Sequence, residues 1–197
     1  MSGTYPTSPG FTSIGFSTKH FNLSSESISG RIQVRKIGGS RFEFSVSYPP
    51  MTASEFQPVM TFIASQEGMA DSFQITLPDI CYKTGTATGS AYTNTLNPFG
   101  IGDTNLFVDG FTGTLKAGDL VKFANHSKVY MIMSNVTGNG GSEAITIKPG
   151  LIASVPNDTQ MIYDAVPFTV RLTNDVQEFS VGVTGLRQYE VDFVEVI

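Results

Sequence analysis

RIQVRKIGGSRFEFSVSYPPMTASEFQPVMTFIASQEGMADSFQITLP, residues 31–78, is the stretch whose reading decides the fold. Phe42, Phe44, Val46 and Tyr48 alternate with Arg41, Glu43, Ser45 and Ser47, the period-two pattern of a strand with one buried face. Ile32 and Val34 alternate with Arg31, Gln33 and Arg35. Gly38, Gly39 and Ser40 between the two runs predict a β-hairpin with a glycine-rich turn. Pro49 and Pro50 stop the second strand, because proline cannot donate to a sheet ladder. Thr52, Ala53, Ser54 and Glu55 match a capping box, in which hydroxyl and carboxylate satisfy backbone amides that lack helical partners. Phe56, Val59, Met60 and Ile63 follow at helical spacing. The spacing predicts a helix of about 12 residues, stopped by Gly68, with Pro58 tolerated near its first turn. Phe73, Ile75 and Leu77 resume strand alternation up to Pro78.

Outside this block, Phe11 to Leu23 carries scattered aromatics and one short strand, and Asn22 to Gly30 is turn-like. Met1 to Gly10 reads as a terminal arm ordered by lying on a neighbour. Thr84 to Asn105 is dense in Gly, Thr, Asn and Pro and reads as a boundary or long loop. Short, evenly spaced strands then follow at Leu106–Val108, Leu120–Phe123, Val129–Met133, Ile145–Ile147 and Met161–Tyr163, the rhythm of a small barrel or sandwich. Three longer alternating strands close the chain, through Phe168–Leu172, Phe179–Val183 and Tyr189–Phe193; after Phe193 the alternation shifts to Val194 and Val196, which predicts a bulge or two-sided burial. The expected fold is mainly β. It comprises a β-sandwich or split-barrel domain with one α-helix packed on it, plus a small inserted β-barrel or sandwich domain. The first takes residues 1–84 and 166–197, with the helix at about 53–66; the insertion takes 85–165.

Composition narrows the function classes. The chain has 197 residues, a net charge of −5 and only 15% charged residues, below the usual quarter. A surface short of charge and rich in Thr, Ser and Asn suits one covered by other protein. No Lys or Arg run exists to neutralise phosphates, which disfavours nucleic-acid binding. No apolar run approaches the length of a membrane span, and Met1 to Phe11 lacks the features of a signal peptide. The lone Cys81 excludes an internal disulfide and offers no zinc spacing, which fits synthesis in a reducing cytosol.

Candidate chemistry is sparse. His126 sits in a turn and reads as a solvated histidine, and Cys81 as a small buried hydrophobe. Asp103, Asp109 and Asp119 match turn chemistry rather than a calcium loop. Gly138 to Gly141 lacks the following helix and lysine of a phosphate loop. No catalytic residue, metal ligand or cofactor is expected. A glycan- or host-surface-binding module is the alternative class, with Tyr82 and Tyr92 as candidate stacking residues in a chain without tryptophan.

The hairpin, the Tyr48-Pro49-Pro50-Met51-Thr52 step and Glu55-Phe56 resemble tailed-phage distal tail or baseplate-hub-type virion proteins. Lys116 to Phe123, Lys128 to Met131 and Val176 to Phe179 resemble the same class. The resemblance implies a ring-forming β domain, hexameric in such proteins, joining the tail tube protein to a central hub or tip protein while DNA passes through the lumen. It implies a structural role without an active site, in a virion tail assembled in the host cytoplasm. A neutral to acidic lumen wall suits DNA passage. Arg31, Arg35, Lys36 and Arg41 cluster around the first hairpin and are the candidate inter-subunit contacts, pairing with carboxylates on neighbouring copies.

Overall fold

The computed structural model describes residues 3–95 and 97–197. In chain order these form β1 (Ser13–Glu26), β2 (Ile32–Ser47), α1 (Ala53–Ser65), β3 (Phe73–Ile75), β4 (Thr88–Thr93), β5 (Asn105–Leu115), β6 (Leu120–Phe123) and β7 (Val129–Ile132). There follow β8 (Val136–Asn139), β9 (Glu143–Lys148), β10 (Gln160–Ile162), β11 (Phe168–Leu172), β12 (Phe179–Val181) and β13 (Arg187–Glu195). The fold is mainly β, in two sheets. One runs β1-β2-β13-β11-β3 with β12 added on β13, and every described pairing between its named strands is antiparallel. In the other, β4, β10, β6, β7, β9 and β5 pair in turn and β5 returns to β4, closing a six-stranded barrel with β8 attached to β5.

The alternation of residues 42–48 does what its period requires. Phe42, Phe44, Val46 and Tyr48 are buried, and their faces meet Phe168, Val170, Val191 and Phe193 from the carboxyl-terminal strands in one core. Phe44 meets Phe168 edge-on, with ring centroids 4.7 Å apart, an arrangement the ring quadrupoles favour. α1 covers this core with Phe56, Val59 and Ile63, while Met60 stays half exposed. At the helix start the Glu55 carboxylate accepts from both the Thr52 N–H (2.9 Å) and the Thr52 hydroxyl (2.7 Å). The helix runs through Pro58, whose ring lies on the exposed side. It ends at Ser65, and the left-handed residue after the Gln66 cap is Glu67 (φ +51°) rather than the expected Gly68, which follows at φ +70° and where a Cβ would lie 2.5 Å from Asp175 Oδ1.

Five expectations are corrected. Phe11–Leu23 does not hold one short strand followed by a turn from Asn22, because β1 runs for 14 residues from Ser13 to Glu26. Gly38, Gly39 and Ser40 do not turn the chain: β2 is continuous, and the hairpin reverses at Ser27–Arg31, closed by Ser27 N–H to Arg31 O (3.0 Å). The register jumps there, with His20 opposite Ser40 but Asn22 opposite Lys36, so the two positive-φ glycines form a bulge. The amino terminus needs no neighbour. Thr4 bridges Gln74, Tyr5 is buried against Phe73 and Phe193, and its hydroxyl accepts from the Tyr48 hydroxyl at 2.8 Å. Met1 and Ser2, the tip of the expected arm, lie outside the described residues.

Thr84 to Asn105 contains a strand, β4, and β5 extends seven residues past Val108. The glycines that look like loop punctuation are points of close strand approach. A Cβ on Gly85 would sit 1.9 Å from Thr114 O, and one on Gly110 2.4 Å from Ser90 O. Finally, of the two readings after Phe193 the bulge is excluded, since β13 pairs in continuous register through Glu195, while Val194 and Val196 are half-buried on the opposite face. Tyr189, Val191, Phe193 and Glu195 all point inward and Glu195 is buried.

Candidate inter-subunit surface

The first hairpin is longer than the sheet it belongs to. Its inner half packs on the core through Ile14 and Phe16. Beyond the Gly38–Gly39 bulge, five pairs from Asn22↔Lys36 to Glu26↔Ile32 continue outward, about 17 Å of two-stranded ribbon. Every residue from Thr18 to Gly39 is exposed. Leu23, Ile32, Val34 and Ile37 each expose 60–66% of their surface, although β-branched and leucine side chains in a strand are usually covered on one face. A two-stranded ribbon is marginal alone in water, so this one gains from being covered.

The four candidate cations fall in two places. Arg31, Arg35 and Lys36 lie on the outer ribbon, and among the described residues they form no ion pair. Arg35 faces Leu23 across the ladder and Lys36 faces Asn22. Arg41 lies inside the bulge: its Nε donates to Glu43 at 3.3 Å and its guanidinium stands 5.6 Å from the Phe21 ring centroid. Lys19 reaches the same Glu43 oxygen at 3.2 Å. Arg41 is therefore engaged within its own chain, whereas the outer three face solvent.

Beneath the bulge a groove of about 740 Å³ separates the ribbon from the barrel, lined in part by His20, Lys36, Phe42, Ile101, Met133 and Lys148. None of its lining residues is acidic. The junction deeper in is held by Lys128 and Glu195, both fully buried. Glu195 accepts from Phe42 N–H (3.0 Å), Val129 N–H (2.9 Å) and the Lys128 ammonium (2.5 Å). Lys128 also donates to Ser40 O at 2.7 Å. Burial pushes the Lys128 ammonium below the ordinary lysine range, against the pull of Glu195. One carboxylate thus ties β2, β7 and β13 together. Where the chain passes between the sheets, Lys83 pairs with Asp164 (2.6 Å) and Val166 N–H donates to Cys81 O (2.9 Å).

The remaining candidates are structural. His126 is half-buried rather than solvated: it bonds Asn125 (2.8 Å) and the Tyr130 hydroxyl (2.7 Å), and burial, then the Lys122 charge, lowers its pKa. Cys81 is buried, takes the Leu77 N–H on its sulfur, and has its thiol pushed up to about 11 by burial. Asp119 accepts from Thr84 and Lys116 amides, and Asp103 and Asp109 accept from Gly100 and Asn94. Gly138 belongs to β8 against the Phe111 ring. Tyr82 and Tyr92 are exposed, one in the connector before β4 and one on it. Among the described residues no three His, Cys, Asp or Glu side chains are grouped to hold a metal ion, and no helix is long and apolar enough to cross a membrane. The role of Glu195 escaped the sequence reading; its one signal is that it continues the 189, 191, 193 alternation.

Comparison with known proteins agrees with the resemblance carried by residues 31–56 and 116–131. Residues 101–166 match the family described as distal tail protein pb9, B domain. Over 168 residues the chain is 24% identical to distal tail protein pb9 of Escherichia phage T5, covering 84% of this chain and 80% of that protein. The chain is similar to a phage distal tail protein. The B-domain match spans β5 to β10, five of the six barrel strands, and leaves out β4, which closes the barrel. The relationship supports a structural role in a phage tail, and a structural rather than a catalytic family.

Proposed function

We propose that the protein is a homo-oligomeric ring component of a phage tail, a hexamer in the simplest case, that connects the tail tube protein to the hub or tip protein and leaves a lumen for DNA. The observation that carries this reading is the outer ribbon. It exposes Leu23, Ile32, Val34 and Ile37 beside three cations unpaired among the described residues, and a second copy of a chain with net charge −5 supplies both apolar cover and carboxylates. In this reading residues 1–84 and 166–197 form the ring domain and 85–165 an insertion carried outside it. Arg31, Arg35 and Lys36 contact the neighbouring copy, and Arg41 stiffens the ribbon from within. The protein resides in the virion tail and is assembled in the host cytoplasm, with no specific hold on nucleic acid.

Native mass spectrometry of the purified protein tests the proposal. A discrete ring-sized oligomer that loses subunits when Arg31 and Arg35 are reversed to Glu is expected. A monomer at all concentrations, or an assembly indifferent to those reversals, would count against it.

A further inference from the structure

The groove under the ribbon and a second exposed surface of the same chain are complementary. The groove is apolar through Phe42, Ile101 and Met133 and carries the cations Lys36 and Lys148, with no carboxylate in its lining. Ile32 and Val34 extend the same face of the ribbon, since Lys36 alternates with them. Across the sheet, beyond β13, residues 175–183 have the opposite character. Val176, Phe179, Val181 and Val183 are exposed, Val176 by 72% and Val183 completely. Asp175 and Glu178 stand among them, with Glu190 and Asp192 lining the adjoining cleft of about 610 Å³. No Lys or Arg lines that cleft, and none of its carboxylates is in an ion pair among the described residues. β12 pairs only with β13, so its outer edge is also open.

We infer that the 175–183 segment of one copy seats in the groove under the ribbon of the next. The inference rests on the homo-oligomeric reading above and names the surfaces it uses. Both halves leave apolar side chains in water, and each carries charge of one sign that is in no ion pair among the described residues. Charge matching of this kind fixes orientation and register between partners. The two patches lie on opposite flanks of one sheet, in the order β1-β2-β13-β12, so a copy cannot satisfy itself. The contact is then head-to-tail, the class that closes into a ring when the rotation permits. Asp175 is already committed to the Met69 N–H (2.9 Å), which leaves Glu178 as the carboxylate free to face Lys36 and Lys148.

The test reverses each side separately. A groove variant carries Lys36→Glu and Lys148→Glu; a segment variant carries Glu178→Lys. All three positions are exposed. Each variant alone should self-associate at least tenfold more weakly than the parent in sedimentation or native mass spectrometry. Mixed in equal amounts they should co-assemble, because every groove then meets a segment of opposite charge. Recovery in the mixture also shows that both variants are folded. Assembly of either variant alone at parental strength, or a mixture that stays dissociated, overturns the inference while leaving a ring built on other contacts standing. A parent chain that never self-associates overturns the homo-oligomeric reading as well.

Discussion

Substituting Glu195 by leucine removes, in one step, the acceptor used by the Phe42 amide, the Val129 amide and the Lys128 ammonium. The stranded ammonium keeps only Ser40 O and the face of the Phe42 ring, 4.8 Å from its centroid. Leaving one member of a buried ion pair alone costs about 3–5 kcal/mol, and each orphaned buried amide about 1–3 kcal/mol. These contributions overlap, and leucine recovers part through its own burial, so the expected loss is about 4 kcal/mol. That is a large share of a stability that for ordinary domains is about 5–15 kcal/mol. Lys128→Met should cost less, about 1–3 kcal/mol, because the carboxylate retains two backbone donors. The double variant should be more stable than Glu195→Leu alone, since no charge is left buried.

Urea unfolding followed by circular dichroism measures all three. A Glu195→Leu loss below about 1 kcal/mol, or a double variant no better than the single, would refute the reasoning. The pH dependence gives an independent check. The folded pKa of Lys128 is depressed below its unfolded value, so the unfolded chain binds more protons between the two and stability rises with pH in that window. Without Glu195 the opposing pull is gone and the window opens toward lower pH. The deficit of Glu195→Leu should therefore shrink as pH is raised from neutral toward the ordinary lysine pKa.

Two further outcomes are expected. Gly85→Ala should destabilise the protein by about 3 kcal/mol or more, because its Cβ meets a backbone carbonyl, whereas Gly10→Ala, with nothing within 4 Å, should be close to neutral; equal thermal shifts for the two would contradict the close-approach account. Cys81, buried and with its thiol held at about 11, should resist a thiol reagent at pH 8 and react only in denaturant, so rapid labelling of the native protein would show that the connector between the sheets opens.

What the sequence by itself determined was every element with a local signature. The 42–48 strand, the Thr52–Glu55 helix start and the alternations of Phe168–Leu172 and Tyr189–Phe193 each report burial or capping within a few residues, and all are present, whereas the alternation of Phe179, Val181 and Val183 marks a strand that stays exposed. Gly38 and Gly39 carried an ambiguous signature, since positive φ serves a turn or a bulge equally well; only the pairing of Ser40 with His20 decided for the bulge and so for a ribbon that projects. β4 was hidden because Gly85, Gly89, Gly110 and Gly113 are selected by strands that approach from 20 or more residues away, and such a constraint leaves no period behind. Glu195 was hidden for a related reason: an acidic residue at an inward position looks like a broken pattern until its partner, Lys128, is seen immediately before β7, in a connector of the other sheet. The tertiary structure alone decided which exposed surfaces oppose one another across the sheet, because relative placement of cationic groove and acidic segment depends on strand order, and strand order is set by long-range pairing rather than by any neighbour in sequence.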